Sequence, residues 1–419
     1  MGNTSCQESH YRLNSKALIS VGMFMAQSSY RLLRLLARLA LTKTNSGIHL
    51  PDPSDPQSFN ALLHRPPVAL DTPALKGFYA GKRVLVTGAG GSIGSEIVKQ
   101  VLGLGAAHVT LLDHSELALY EIDRAIRENL PGSDTKPVLC SIRSPERLEA
   151  VFVAQKPDVV FHAAALKHVP MVELNPSESV LTNVRGTQYV IDAAKAARVK
   201  QLVLISSDKA VAPSSLMGAT KRLAEHLIRT QISDTHQACV VRFGNVLGST
   251  GSVVPLFKSQ IERGGPITLT DAKAERYFMT ISEAVMLVLT AAMANAGTPE
   301  HKSGLYILEM GQPIKIRDLA ERLISLYGLK PGEDIEITYT GLREGEKITE
   351  ALVDDNEVRR PLLPGLFEVV NPETVRPLSA KIMQKLYDLA QEGHDDQAKT
   401  MTFDMVRSLR TQPQSIPAE

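Results

Sequence analysis

The sequence feature that most constrains the fold is a strand, a glycine-rich turn and a helix in direct succession. The apolar run 83–87 is followed by GAGGSIG at 88–94 and by an amphipathic stretch to about residue 102. Such a turn lets the backbone approach a phosphate, and the helix N-terminus attracts negative charge. The order predicts a dinucleotide-binding βα unit whose cofactor-binding residues are Gly88, Gly91, Ser92, Ile93 and Gly94.

The next predicted strand, 108–113, ends on an acidic residue 19 positions after Gly94. At that place a carboxylate accepts hydrogen bonds from an adenosine ribose and repels a 2′-phosphate. Asp113 therefore favours NAD, although His114 and Ser115 leave NADP open. Ala163 and Ala164, at the end of another predicted strand, are small enough for the ribose and nicotinamide to lie against them.

Strand and helix patterns alternate through six units up to residue 243, which indicates an α/β fold with a Rossmann-like, doubly wound parallel sheet. After residue 243 the pattern becomes richer in loops. We predict an amphipathic helical extension at 1–50, a Pro-rich lead-in at 51–80, an NAD-binding domain with the catalytic residues at 81–243, a smaller, mainly substrate-binding lobe at 244–374 and a helical tail at 375–419.

The composition is that of an ordinary globular enzyme, with 43% hydrophobic residues, 22% charged residues and a net charge of +1. The absence of a basic excess argues against a nucleic-acid partner. Cys6, Cys140 and Cys239 form no CxxC pair, so we expect reduced thiols in the cytoplasm and no metal site. No apolar run reaches the ~18 residues that span a bilayer.

The N-terminal 50 residues contain one basic amphipathic stretch. Arg31, Arg34 and Arg38 fall on one face of a predicted helix, and leucines occupy the other side. Such a helix can lie on an anionic membrane surface, here through residues 17–41 at the inner face of the membrane. Packing against the protein's own body or a second subunit is the alternative.

The stretch 205–221, ISSDKAVAPSSLMGATK, carries the most chemistry. It follows the apolar run 201–205, so Ser207, Asp208 and Lys209 leave the carboxyl end of a predicted parallel strand, where α/β sheets bind ligands. Met217 and Lys221 lie one helical turn apart on the following helix. A solvated polar turn is the alternative. A hydroxyl, a carboxylate and an amine within three residues favour a catalytic site.

These motifs, with FHAAALKHVP, TNVRGT, RFGNVLGSTGSVVP, RYFMT and LREGEK, appear in order between residues 65 and 374. Together they resemble the extended short-chain dehydrogenase/reductases, and more narrowly the bacterial polysaccharide-biosynthesis subgroup of UDP-N-acetylglucosamine 4,6-dehydratases. The larger members of this subgroup carry transmembrane helices and an additional domain in front of the catalytic part.

The resemblance implies oxidation at C4 of a UDP-sugar, loss of water across C5–C6 and return of the hydride to C6, for surface polysaccharide or lipopolysaccharide synthesis. The cofactor would stay tightly bound, because the hydride is returned in every cycle. Members of the family form homo-oligomers, which implies dimerisation through the helices near 176–197 and 216–230.

The resemblance also implies the catalytic roles. Lys209 corresponds to the base at C5, Asp208 to the acid at the C6 hydroxyl, Ser207 to the hydroxyl that orients the sugar near O4, and Lys221 to the lysine that holds the nicotinamide ribose. Met217 stands where most short-chain dehydrogenases have Tyr, and a thioether cannot take the 4-hydroxyl proton. Asp208, or Ser207 with Lys221, are the candidate acceptors. Members with Met retain the C5 configuration, so we expect retention.

Further residues resemble substrate contacts of the family. Asn245, Arg276 and Glu346 correspond to an amide, a guanidinium for phosphate and a carboxylate for ribose hydroxyls. The complete set of expected substrate-binding residues is Lys167, His168, Asn183, Asn245, Arg276, Arg343 and Glu346.

Three other positions are not among the expected substrate-binding residues. His162 is expected to be a core histidine. Ser141 replaces the Asp that usually contacts adenine, and Glu344 replaces a usual Pro.

Two other functions use the same fold. A UDP-N-acetylhexosamine 4-epimerase shares the cofactor and the oxidation step but does not need the Asp208–Lys209 pair. A non-catalytic dinucleotide-binding regulator needs the fold alone. The presence of Asp208, Lys209 and Lys221 favours the dehydratase over both.

Overall fold

The computed structural model describes residues 72–231, 237–297, 303–370 and 376–410. The predicted extension at 1–50, its membrane-contact segment 17–41 and Cys6 lie outside the described residues. Helix α1 (Thr72–Tyr79) falls within the predicted lead-in at 51–80 and buries Leu75 and Tyr79. Within the described ranges, no helix combines the length and the apolar character that crossing a membrane requires.

Short apolar runs form the central strands, as expected where both faces of a sheet are covered by helices. In chain order, the described strands are β1 (Arg83–Thr87), β2 (His108–Asp113), β3 (Thr135–Leu139), β4 (Val159–His162), β5 (Gln201–Ile205), β6 (Gln237–Arg242), β7 (Asn245–Leu247), β8 (Ile267–Leu269), β9 (Glu275–Arg276), β10 (Phe278–Thr280), β11 (Ser303–Leu308), β12 (Ile314–Lys315), β13 (Ile337–Tyr339), β14 (Val358–Leu363) and β15 (Leu366–Val370).

The main sheet of the described chain has nine strands in the order β14-β15-β11-β6-β5-β4-β1-β2-β3. In this sheet, the seven neighbouring strands β11-β6-β5-β4-β1-β2-β3 pair in parallel. Strands β15 and β14 are added antiparallel at the β11 edge. The strand order reverses between β1 and β4, so their carboxyl ends border the ligand crevice typical of such sheets. The predicted Rossmann-like, doubly wound parallel sheet is confirmed.

Helices cover both faces of this sheet. The remaining helices are α2 (Ser92–Gly103), α3 (Glu116–Asn129), α4 (Pro145–Gln155), α5 (Val169–Leu174), α6 (Pro176–Ser179), α7 (Gly186–Ala196), α8 (Leu216–Thr230), α9 (Val253–Glu262), α10 (Ile281–Ala296), α11 (Ile316–Leu326), α12 (Ala380–Gln391) and α13 (Asp395–Arg410). Helices α1, α2 and α10 pack together on one face, and α4, α7 and α8 lie on the other. A π-helical turn at Val180–Arg185 joins α6 to α7.

The chain after residue 243 contributes to two regions. Strands β11, β14 and β15 extend the main sheet past the boundary predicted at residue 243. Helices α9 and α11 pack with β8 into a separate small core that contains Phe257, Ile261 and Leu319. The lobe that we predicted to bind substrate is therefore formed by chain segments that lie, in sequence, between strands of the main sheet.

The C-terminal helices cover a surface that we expected to face a second copy. Helices α12 and α13 pack on α6 and the π-helical turn, and α13 packs on α8. Leu223, Leu227 and Ile228 of α8 are buried within the one chain. The oligomeric state stays a prediction.

Candidate active site

The glycine-rich turn lies between β1 and α2 at the switch point of the sheet. Gly88 has a φ of +68°, and a Cβ there would lie 2.7 Å from the Ala164 backbone nitrogen. A residue with a side chain would therefore push the turn away from β4. Helix α2 begins after Gly91 without a side-chain cap, so its N-terminus is available to an anion. The predicted residues Ser92, Ile93 and Gly94 form the first turn of this helix.

The carboxylate of Asp113 connects the two sides of this turn. Oδ2 accepts a hydrogen bond from the Gly90 backbone nitrogen at 2.9 Å, and Oδ1 accepts one from Ser115 at 2.9 Å. Asp113 thus holds the turn and the start of α3 at the end of β2. Ala163 and Ala164 lie beside the turn, where Thr87 holds both backbone nitrogens.

The catalytic loop follows β5, and its backbone is attached to the end of β6. Ser206 and Asp208 donate their backbone N–H groups to Val241 and Phe243. Asp208 is 0% exposed. Its Oδ1 accepts hydrogen bonds from Ser207 Oγ at 2.8 Å and from Lys209 Nζ at 3.0 Å, while Oδ2 is buried and has no hydrogen-bond partner among the described residues. The loop presents a buried acid in direct contact with an amine.

Helix α8 packs closely behind this loop. A Cβ at Gly218 would lie 2.1 Å from the Lys209 carbonyl oxygen, so only glycine permits this approach. Lys221 Nζ donates to the Ile205 carbonyl at 2.5 Å, and burial lowers the pKa of Lys221 to about 8 although Glu225 opposes the shift. Met217 is buried with Val172 and Leu216. The expected lysine and methionine therefore flank the catalytic loop.

The lobe brings polar residues to the same loop. Asn245 Oδ1 accepts a hydrogen bond from Lys209 Nζ at 3.4 Å. Arg276 donates through Nη1 to the Glu275 and Ile348 carbonyls at 2.8 and 2.9 Å. Buried Glu350, which the sequence reasoning missed, places Oε1 3.9 Å from Lys209 Nζ and 4.0 Å from Arg276 Nε. Only the tertiary structure brings these residues together.

Other expected substrate residues lie on loops around the site. Arg343 and Glu346 lie on the same loop as Lys347. Lys347 Nζ donates to the Val211 and Ala212 carbonyls and so attaches this loop to the segment after β5. Arg343 is exposed, and its backbone N–H donates to Glu346 Oε2 at 3.3 Å.

Lys167 and His168 lie beside the loop after β7. Lys167 Nζ donates to the Thr250 carbonyl at 3.0 Å, and burial lowers the pKa of both Lys167 and His168. Thr250 also contacts Ser92 Oγ, which links the loop after β7 to the glycine-rich turn.

Two buried side chains support the loops from behind. His162 bonds Thr87 at 2.8 Å and Thr187 at 3.0 Å, and burial lowers its pKa to about 3, so it is a neutral core histidine as predicted. Asn183 was expected to contact substrate. Its amide donates to the Leu166 carbonyl and to Thr220 Oγ1 and accepts from the Leu166 backbone nitrogen, which attaches it to the loop after β4, and its contact with substrate stays a prediction.

The two departures from the family pattern have local explanations. Ser141 accepts a hydrogen bond from the Arg143 backbone nitrogen at 3.2 Å. Glu344 forms an ion pair with Lys399 of α13 at 2.8 Å. Both residues thus have protein partners in the fold.

A sheet of this order, with a glycine-rich turn after its first strand and a lysine on the helix that follows the catalytic loop, defines an extended short-chain dehydrogenase/reductase. Comparison with known proteins narrows the class. The chain belongs to the polysaccharide biosynthesis protein family, whose sequence profile matches residues 84–367.

Three relatives illustrate the match. The chain is 46% identical to the capsular polysaccharide biosynthesis protein CapD of Staphylococcus aureus, over 71% of this chain and 49% of CapD. It is 33% identical to a UDP-glucose 4-epimerase of Rickettsia rickettsii, over 67% of this chain and 80% of that protein. The X-ray structure of Pen from Bacillus thuringiensis superposes with a TM-score of 0.63 at 34% identity, over 76% of this chain and 99% of Pen. The chain thus spans about half the length of CapD.

Proposed function

We propose that this chain is a nucleotide-sugar 4,6-dehydratase that converts UDP-N-acetylglucosamine to UDP-4-keto-6-deoxy-N-acetylglucosamine for surface glycan synthesis. The observation that carries the proposal is the contact between buried Asp208 and Lys209 at 3.0 Å. Elimination of water needs an acid and a base at neighbouring carbons, each worth ~10²–10⁴-fold in rate. An adjacent carboxylate and amine supply both.

The residues around the glycine-rich turn fit a nicotinamide dinucleotide. The uncapped start of α2 suits the pyrophosphate, and Asp113 favours NAD over NADP. A bound nicotinamide would accept the hydride from C4 and return it at C6. Lys221, on the same side of the crevice, would hold the nicotinamide ribose.

The contact between Ser207 and Asp208 supports a route for the 4-hydroxyl proton. Met217 cannot accept it. Ser207 Oγ is 2.8 Å from Asp208 Oδ1, so Ser207 can take the proton from O4 while passing its own to Asp208. Asp208 is then protonated and ready to act as the acid in the next step.

The elimination uses the pair directly. The Lys209 amine accepts the C5 proton, the C–H electron pair forms the C5–C6 double bond, and the C6–O bond breaks as Asp208 gives its proton to the departing oxygen. Water leaves. Lys209 then returns a proton to C5 from the side on which it was removed, which gives the expected retention of configuration.

The lobe residues would hold the nucleotide. Arg276 supplies a guanidinium for the diphosphate, Asn245 an amide, and Glu346 a carboxylate for the ribose hydroxyls. Lys167, His168 and Arg343 border the same crevice and complete the proposed substrate contacts.

Mass spectrometry of the full chain incubated with UDP-N-acetylglucosamine and NAD in deuterated water tests this function. We expect a product lighter by one water that carries deuterium at C5, and NMR of the product would report its C5 configuration. Failure to release water from this substrate would overturn the proposal.

The alternative function is a 4-epimerase, which the 33% identity to a UDP-glucose 4-epimerase favours. An epimerase would oxidise C4 and reduce it again without using Asp208 and Lys209 for elimination. In the same experiment, an isobaric product without deuterium at C5 would support it.

A further inference from the structure

Glu350 is a buried acid at the end of a run of largely exposed residues. Glu344, Ile348 and Thr349 are exposed, whereas Glu350 has a relative exposure of 6%. An ionised side chain is costly to bury unless another charge or a ligand compensates for it. Its burial therefore calls for a partner.

The partners are two basic groups of the proposed site, an amine and a guanidinium. Glu350 Oε1 lies 3.9 Å from Lys209 Nζ and 4.0 Å from Arg276 Nε. Its second oxygen, Oε2, is buried and has no hydrogen-bond partner in the part of the chain that the structure describes. Glu350 thus faces the catalytic amine from the lobe side, while Asp208 contacts the same amine from the loop side.

The segment that carries Glu350 is held in place by β9. The Glu275 backbone nitrogen donates to the Ile348 carbonyl at 2.9 Å, and Arg276 Nη1 donates to the same oxygen. Thr349 Oγ1 donates to the Glu275 carboxylate at 3.0 Å. These backbone and side-chain contacts hold the segment before Glu350 against β9 and so place Glu350 near Lys209.

The charges of this group explain why a second carboxylate is needed. During elimination Lys209 gains a proton as Asp208 loses one to the leaving oxygen. The new ammonium forms in a buried site, where an opposite charge within about 4 Å favours the charged form. Asp208 is occupied with the leaving group at that moment, and Glu350 is the other carboxylate within reach.

We infer that Glu350 is a positioning residue of this active site, which holds the Lys209 amine against Asp208 and stabilises the ammonium formed when Lys209 accepts the C5 proton. The inference rests on the proposed dehydratase function. The link from Glu350 to Arg276 also joins the base to the residue proposed to bind the diphosphate.

The test separates the oxidation of C4 from the removal of the C5 proton. Wild type, E350Q and E350D are mixed with UDP-N-acetylglucosamine in deuterated water under single-turnover conditions. Absorbance at 340 nm follows reduction of the nicotinamide, and mass spectrometry follows deuterium at C5. In E350Q we expect the absorbance at 340 nm to rise at an unchanged rate and to decay more slowly. Deuterium incorporation at C5 should slow roughly 10- to 100-fold, the range typical for residues that orient a reactive group. E350D should recover part of the rate.

E357Q is the matched control, because Glu357 is a buried glutamate of the same segment without a contact to Lys209. E357Q should lower the melting temperature. It should leave unchanged the ratio of the rate of nicotinamide reduction to the rate of deuterium incorporation at C5. Equal deuterium rates in E350Q and wild type would overturn the inference, as would equal slowing of both steps. Absence of water loss in wild type would instead reject the proposed function.

Discussion

Two buried charged clusters lie side by side. Both include residues from the loop after β5 and from the segment before β14. The Arg242 cluster consists of Arg222, Glu225, Arg242 and Glu357, with Ser206 attached. The Lys209 cluster consists of Asp208, Lys209, Arg276 and Glu350.

They differ in how completely their polar atoms are paired. Arg242 is 0% exposed and bonds both Glu225 oxygens at 2.7 and 2.8 Å, and Glu357 at 2.6 and 3.0 Å. Although burial opposes ionisation, Arg242 and Arg222 lower the pKa of Glu357 to about 2. In the Lys209 cluster, Asp208 Oδ2 and Glu350 Oε2 accept no hydrogen bond from any residue within the described ranges.

The difference separates a structural network from a reactive one. A fully paired cluster offers nothing to a ligand and holds elements together, here α8, β6 and the segment before β14. A cluster with unpaired buried oxygens carries a desolvation cost that a substrate with hydroxyl groups can relieve. Incomplete pairing therefore distinguishes the Lys209 cluster from the Arg242 cluster.

Breaking the Arg242 cluster should have the largest effect on stability. R242M leaves Glu225 and Glu357 buried without their main cation, which we expect to cost about 3–5 kcal/mol. Denaturant unfolding measures this loss. Adding E225Q and E357Q to R242M should recover part of the stability. A loss below 1 kcal/mol for R242M would contradict the structural role of the cluster.

Breaking the Lys209 cluster should affect the reaction most and cost less stability than R242M, because the Lys209 side chain is only partly buried. K209M removes the base, so water loss should slow by about 10²–10⁴-fold. Product formation is measured by mass spectrometry and folding by the melting temperature. K330M, at an exposed lysine of the lobe, is the control and should behave like wild type. Retention of full dehydration by K209M would assign the base to another residue.

Lys221 lies between the two clusters and should give the site a pH limit. Because burial lowers its pKa to about 8, Lys221 loses its positive charge as the pH rises through that value. Turnover should therefore decline above about pH 8, and K221R, which stays charged, should move the decline to higher pH. A profile of kcat between pH 6.5 and 9.5 measures it. A flat wild-type profile would mean that the charge of Lys221 is not used.

The smallest expected effect concerns an exposed ion pair outside both clusters. Lys399 of α13 bonds Glu173 and Glu344, each at 2.8 Å, and so ties the tail to the loop that carries Arg343 and Glu346. Because Glu344 is largely exposed, we expect K399M to cost only about 0.2–1 kcal/mol of substrate binding. KM for the UDP-sugar should rise several-fold at unchanged kcat. K385M, at an exposed lysine of α12, is the control, and equal KM values in both variants would contradict a role of the tail in binding.

Much of the catalytic half of the site was predictable from the sequence. The turn at 88–94, Asp113 and the stretch 207–221 each combine strand, loop and helix signals within a few residues. Their positions at the carboxyl ends of parallel strands follow from the topology of such sheets. The substrate half was less predictable, because its residues come from segments that are distant in sequence.

The sequence by itself determined the doubly wound sheet and the catalytic loop, because periodicity and turn chemistry are local properties of a chain. Only the tertiary structure decided that Glu350 faces Lys209 across 141 residues of sequence. It also decided that α12 and α13 pack on α6, and that α13 packs on α8. Such contacts form when two segments that are distant in sequence pack against each other. The residue pattern of one segment does not specify which other segment it will contact.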